Sequence, residues 1–162
     1  MFTAMKSVLV SAALVLGLAA ATTATAQDVN ARAAYGSVNL AAGFMPDPYR
    51  VRVRAGGDWY FTTTNTCQRG GWFANAPDFR LFYQSGGYSL FIFAEGPGDT
   101  MLLVNAPDGG WYCNDDYGGT LHPAIVFNRP QSGRYEIWVG TYNRARVRNT
   151  TLSISEIGPF AR

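Results

Sequence analysis

From residue 28 onward the chain shows apolar residues at spacing two, and no window of ten or more residues places them at the three-four spacing of a helix face. "YRVRVRAGG" alternates cleanly: Val51, Val53 and Ala55 fall on one side, Arg50, Arg52 and Arg54 on the other. "DWYFTTT" is aromatic and β-branched, and "FRLFY" (79–83) leads through "QSGG" into "YSLFIFAEG". In that last run Leu90, Ile92 and Ala94 oppose Phe91 and Phe93, so both faces are apolar and a central strand is predicted. "DTMLLVNA", "WYCND", "PAIVF", "SGRYEIWVGTY" and "TTLSISE" follow. "PDGG" (107–110) punctuates the first two: proline presets one dihedral and glycine accepts a positive one. The pattern predicts about nine or ten short strands with frequent turns, an all-β sandwich or barrel. "DVNARAA" (28–34) carries no strand signal and is expected to be a loose arm, and "CQRGGWFANAPDF" a glycine-containing loop.

The first 26 residues have a different character. Lys6 supplies a positive start, residues 7–21 are apolar, and Ala24–Ala26 make an A-x-A site, so a signal peptide cut before Gln27 is expected. The 15-residue apolar run is short of the roughly 20 a spanning helix needs. Residues 27–162 then form a single domain, large enough for a real core. Export predicts a periplasmic or secreted location, and it gives Cys67 and Cys113 a reason to pair as a disulfide. The formal charge is +2, and Lys6, the only lysine, leaves with the signal. That balance argues against nucleic acid as a partner.

Candidate chemistry centres on "GGWYCNDDYGG" (109–119). Asn114, Asp115 and Asp116 leave a strand into a glycine loop, and Asp99 and Asp108 bound the preceding strand. Oxygen-rich loops suit Ca2+, although the alternating spacing of an EF-hand is missing; the alternative is that these side chains cap turns. As an acid/base pair, Asp115 and Asp116 are poor, because neighbours in a strand point to opposite faces. Glu95 and Glu136 carry no motif. His122 is the only histidine, sits directly before a proline, and no serine lies in a nucleophile motif, so no catalytic residues are assigned. Two stripes, Arg50/Arg52/Arg54 and Arg144/Arg146/Arg148, would form an anion strip if they lay side by side; solvated strand faces are the simpler reading. An exposed Trp72 near Trp111 or Tyr117 would suit stacking on a sugar ring.

The pieces "GDTMLLVNAPDGGWYCNDD", "LHPAIVF", "SGRYEIWVGTY" and "TTLSISE" give residues 77–156 a resemblance to the bacterial pre-peptidase C-terminal domain. The whole exported chain, with "GFMPDPYRVRV" and "PDFRLFY", is also similar to small proteins sometimes labelled chymotrypsin-like peptidases. The family resemblance implies a jelly-roll-like β-sandwich of antiparallel strands, noncatalytic, often calcium-stabilised, with a role in substrate binding or secretion. With no enzyme expected ahead of it, the module is expected to act on its own or with a partner. The combined expectation is an exported binding or structural module whose partner is a polysaccharide or another exported protein. A carbohydrate-binding module using Trp72, Trp111 and Tyr117, and a secreted hydrolase, are the alternatives.

Overall fold

A computed structural model describes residues 27–62, 67 and 69–160. The expected signal peptide lies outside the described residues. Eleven strands, all short, form two packed sheets, and no helix long and apolar enough to cross a membrane occurs among the described residues.

In the larger sheet the spine is β10 (Gly133–Thr141). One flank pairs with β7 (Thr100–Asn105), which pairs onward with β8 (Trp111–Asn114). The other flank is shared: β5 (Phe79–Gln84) takes residues 133–137, and β4 (Gly71–Phe73) takes Thr141. β1 (Ser37–Ala41) extends the sheet beyond β5, and β3 (Trp59–Phe61) extends it beyond β4. The second sheet runs β2 (Tyr49–Ala55), β11 (Val147–Ser155), β6 (Leu90–Glu95), β9 (Ala124–Phe127).

Alternation fills the space between the sheets. Tyr135, Ile137 and Val139 of β10, Phe79, Leu81 and Tyr83 of β5, and Leu102 and Val104 of β7 face Val53, Ala55, Leu90, Ile92, Ala94, Leu152 and Ile154 of the second sheet, all buried. β6 is central, between β11 and β9, as its two apolar faces require: Ile92 lies inward, and Phe93 packs outward on Phe160 at 5.1 Å between ring centroids. Each such side chain contributes on the order of 2 kcal/mol relative to exposure.

The larger sheet has a second, outer core. Leu103 and Met101 of β7 and Trp138 of β10 are buried there with Phe73 and Cys67. Residues 27–35 cover part of it. Asp28 N donates to Asn75 O at 2.9 Å, Ala34 N to Pro77 O at 2.9 Å, and Tyr35 N to Asp78 O at 2.8 Å. Arg80 Nη2 donates to the carbonyls of Val29 (3.2 Å) and Ala31 (2.9 Å), while its Nε meets Glu136 Oε1 at 2.5 Å. The arm expected to be loose is therefore docked. Its sequence gives no strand signal because it is held through its backbone and through one arginine from β5.

Three further expectations are corrected. β1 lies where the sequence pattern predicts no strand, β4 lies in the stretch it predicts as a loop, and β1 pairs with β5 in parallel, so the sandwich is not wholly antiparallel.

The shared flank of β10 leaves a break in the ladder between β5 and β4, and two non-strand groups fill it. Gly56 N donates to Val139 O at 2.9 Å, and Val139 N donates to Asp78 Oδ2 at 2.7 Å. A Cβ at Gly57 would stand 2.0 Å from Phe73 O, so only glycine lets the chain pass this close. Asp78 is 3% exposed. Desolvation pushes its carboxyl up to about 7, against the Val139 amide and the more distant Arg54, which both pull it down.

Candidate functional site

β8 ends at Asn114, and the chain then crosses toward β9 in the second sheet. Register brings the start of β7 to this point, since Leu102 pairs with Asn114. Asp99, just before β7, therefore meets Asp115 and Asp116, with one carboxylate oxygen of each lying within 4.8 Å of the others. Asp115 and Asp116 do not point apart, because the strand has ended before them. The Asp99 and Asp115 Oδ1 atoms are buried and have no hydrogen-bond partner among the described residues. Desolvation raises the Asp115 carboxyl to about 6, with added repulsion from Asp116 and Asp99; Arg69 opposes the shift. Asp99 is raised by desolvation and then by Asp116. The corner is thus three carboxylates with a deficit of positive charge.

Two of the expected ligands do not join with free oxygens. Asp108 caps the turn at the far end of β7: its carboxylate accepts from Gly110 N at 2.8 Å and from the Tyr112 hydroxyl at 2.7 Å, and both bonds hold its carboxyl below the usual range. Asn114 Oδ1 accepts from Ala124 N at 2.9 Å, and its Nδ2 donates to Asp116 O at 3.4 Å. It orders the loop around the carboxylates. The disulfide forms as expected: Cys113 of β8 is bonded to Cys67, Cα to Cα 5.2 Å, one residue before Asn114.

The aromatic candidates are dispersed. Trp111 faces the outer core, 5.4 Å from Trp138 and 5.3 Å from Phe61. Trp72 pairs with Thr141 and Tyr60, which share its face, and that is the opposite face of the sheet from Trp111. Arg144 lies over its ring at 5.0 Å. Tyr117 is on the loop to β9, 6.3 Å from Phe160. The structure does not gather Trp72, Trp111 and Tyr117 into one surface.

The other candidates separate too. Arg144 and Arg146 both bond Asp58, holding its carboxyl below its ordinary value, with Arg146 the larger influence. Arg50, Arg52 and Arg54 are exposed on β2, and because β2 pairs with β11 the exposed Arg148 falls in the bulge beside Arg54, while Arg144 and Arg146 are engaged by Asp58. Glu95 and Glu136 stand in different sheets. The His122 ring lies 6.4 Å from Phe160, and its Nδ1 is buried without a partner among the described residues. No serine or carboxylate bonds it there.

Sequence reading missed Asp78, and also a row across the outer face formed by Asn39, Phe82 and Arg134, which register alone brings together. No family model matches this chain, and no curated protein does. Among solved structures, the chain is similar to the crystal structure of Aeromonas hydrophila PliG, a periplasmic lysozyme inhibitor of g-type lysozyme, at 14% identity and a TM-score of 0.40, covering 74% of this chain and 96% of that one.

Proposed function

We propose that this chain is an exported, noncatalytic binding module whose Asp99/Asp115/Asp116 corner holds a hard divalent cation, Ca2+. The observation that carries the cation is the pair of buried, unpartnered carboxylate oxygens beside a third carboxylate. Like charges this close repel, and a dication relieves that repulsion more fully than Arg69 does. The donor set fits: Ca2+ takes roughly six to eight oxygens, with carboxylates, backbone carbonyls and water all acceptable. Asp99, Asp115 and Asp116 would supply the carboxylates. Export accords with the disulfide, which persists in oxidising compartments. The sequence resemblance of residues 77–156 to pre-peptidase C-terminal domains supports a noncatalytic module that acts on its own or with a polysaccharide or another exported protein as partner.

The test is a thermal melt of the oxidised protein in EDTA and then in millimolar calcium. Cation present at about 100 times its Kd stabilises by roughly 2.7 kcal/mol, enough to raise Tm by several degrees. The expected result is such a rise with the native chain and its loss in Asp115→Asn/Asp116→Asn. Identical melts in EDTA and calcium would remove the cation from the reading.

A further inference from the structure

On the outer face of the larger sheet, Asn39 of β1, Phe82 of β5 and Arg134 of β10 lie side by side in register. Ala41 and Gln84 form the next row toward the strand ends. These side chains line a shallow cleft of about 360 Å3, at the small end of the range found for small-molecule sites. Phe82 is 40% exposed in the middle of a sheet face, although the rest of β5's apolar side chains are buried.

The charge around this ring is positive. Arg80 and Arg134 share one carboxylate, Glu136. Arg80 donates through Nη2 to two carbonyls of the N-terminal arm. Arg134 uses only its Nε, at 3.1 Å from Glu136 Oε1, and its side chain is 43% exposed. Its terminal nitrogens have no partner among the described residues. The row thus offers an aromatic face, planar amides on Asn39 and Gln84, and a guanidinium held at Nε by Glu136 with both terminal nitrogens to spare.

We propose that this row binds a carboxylate-bearing sugar unit, of the uronic acid type, within an acidic polysaccharide. The apolar face of a pyranose ring stacks on Phe82, its carboxylate meets the Arg134 terminal nitrogens, and its hydroxyls bond Asn39 and Gln84. A lone exposed phenylalanine is ordinary on any protein. What separates this one is that both of its lateral neighbours are groups that recognise a polar ring substituent. A protein partner fits the row less well, since its centre would want a contiguous apolar cluster, and one ring does not make one. Phosphate fits less well too, because one partly neutralised guanidinium is little charge for a dianion.

The inference rests on the reading of the chain as a binding module but uses a different surface from the cation corner. A calcium shift without sugar binding sinks the row alone, and sugar binding without a calcium shift sinks the corner alone. The experiment is titration of the intact oxidised protein with polygalacturonate oligosaccharides by calorimetry, beside their methyl-esterified, uncharged forms. Saturable binding of the acidic form alone is expected, weakened about tenfold or more in Phe82→Ala and in Arg134→Gln. Arg52→Gln, on the other sheet, leaves it unchanged. Melting curves show whether each variant is folded, and Phe82→Leu serves if the alanine variant is not. Absence of binding, equal binding of the esterified form, or binding indifferent to Phe82 overturns the proposal.

Discussion

Asp78→Asn is expected to make the protein more stable than the native chain above pH 7, by up to about 4 kcal/mol, and to leave the two alike near pH 4. The carboxyl titrates at about 7 when folded and near 3.8 when unfolded, so the folded state holds the proton more tightly. The stability this confers is complete below the unfolded value. It is lost as pH climbs through that window to the folded value. Asparagine keeps an oxygen for the Val139 amide and never charges, so the fully buried site no longer incurs the ionisation cost. Asp115, also raised, adds a slope of the same sign to both proteins, so the difference between them isolates Asp78. Urea unfolding at several pH values measures it, and parallel pH profiles would show that Asp78 does not titrate in this way.

Replacing both cysteines by alanine is expected to cost about 4 kcal/mol, from a loop closed across a separation of 46 residues. The bond also joins the segment around Cys67 to β8, next to the outer core of Trp111, Trp138 and Phe73. The effect should therefore appear both as a lower urea midpoint and as a change in the near-ultraviolet signal of those tryptophans. A midpoint shift corresponding to under 1 kcal/mol would mean that packing holds Cys67 in place and the crosslink adds little.

The strands that face a core on one side were readable because their alternation is strict, as in Tyr135, Ile137 and Val139 or in the Arg-Val repeat of β2. β1 was not: "SVNLA" sits at the sheet edge with only Val38 and Leu40 turned inward, and its partner lies more than forty residues away. β4 is three residues long and begins with glycine, too short for any period to show. At the acidic corner the residues were legible and the geometry was not. Strand alternation sends Asp115 and Asp116 apart, but it stops applying once the ladder ends at Asn114. Choosing Asp99 over Asp108 needed the direction of β7 against β8. Asp78 was invisible because its role is to fill a gap in β10, and nothing near "APDF" records that gap.

The pairing of β2 with β11 joins Tyr49 to Ile154 across nearly the whole described chain. The stretch 77–156, whose sequence alone suggests a family resemblance, contains β5 to β11 but none of β1 to β4. Cut out by itself, that piece would bare one flank of β11, one flank of β5 and the end of β10 at Thr141, unpaired backbone rows open to any passing strand. It would also lose Gly56 from the break in β10 and the arm from above Arg80. The smallest self-sufficient unit is therefore longer than its most recognisable part, and a fragment trimmed to the likeness would be a candidate for aggregation rather than a minimal domain.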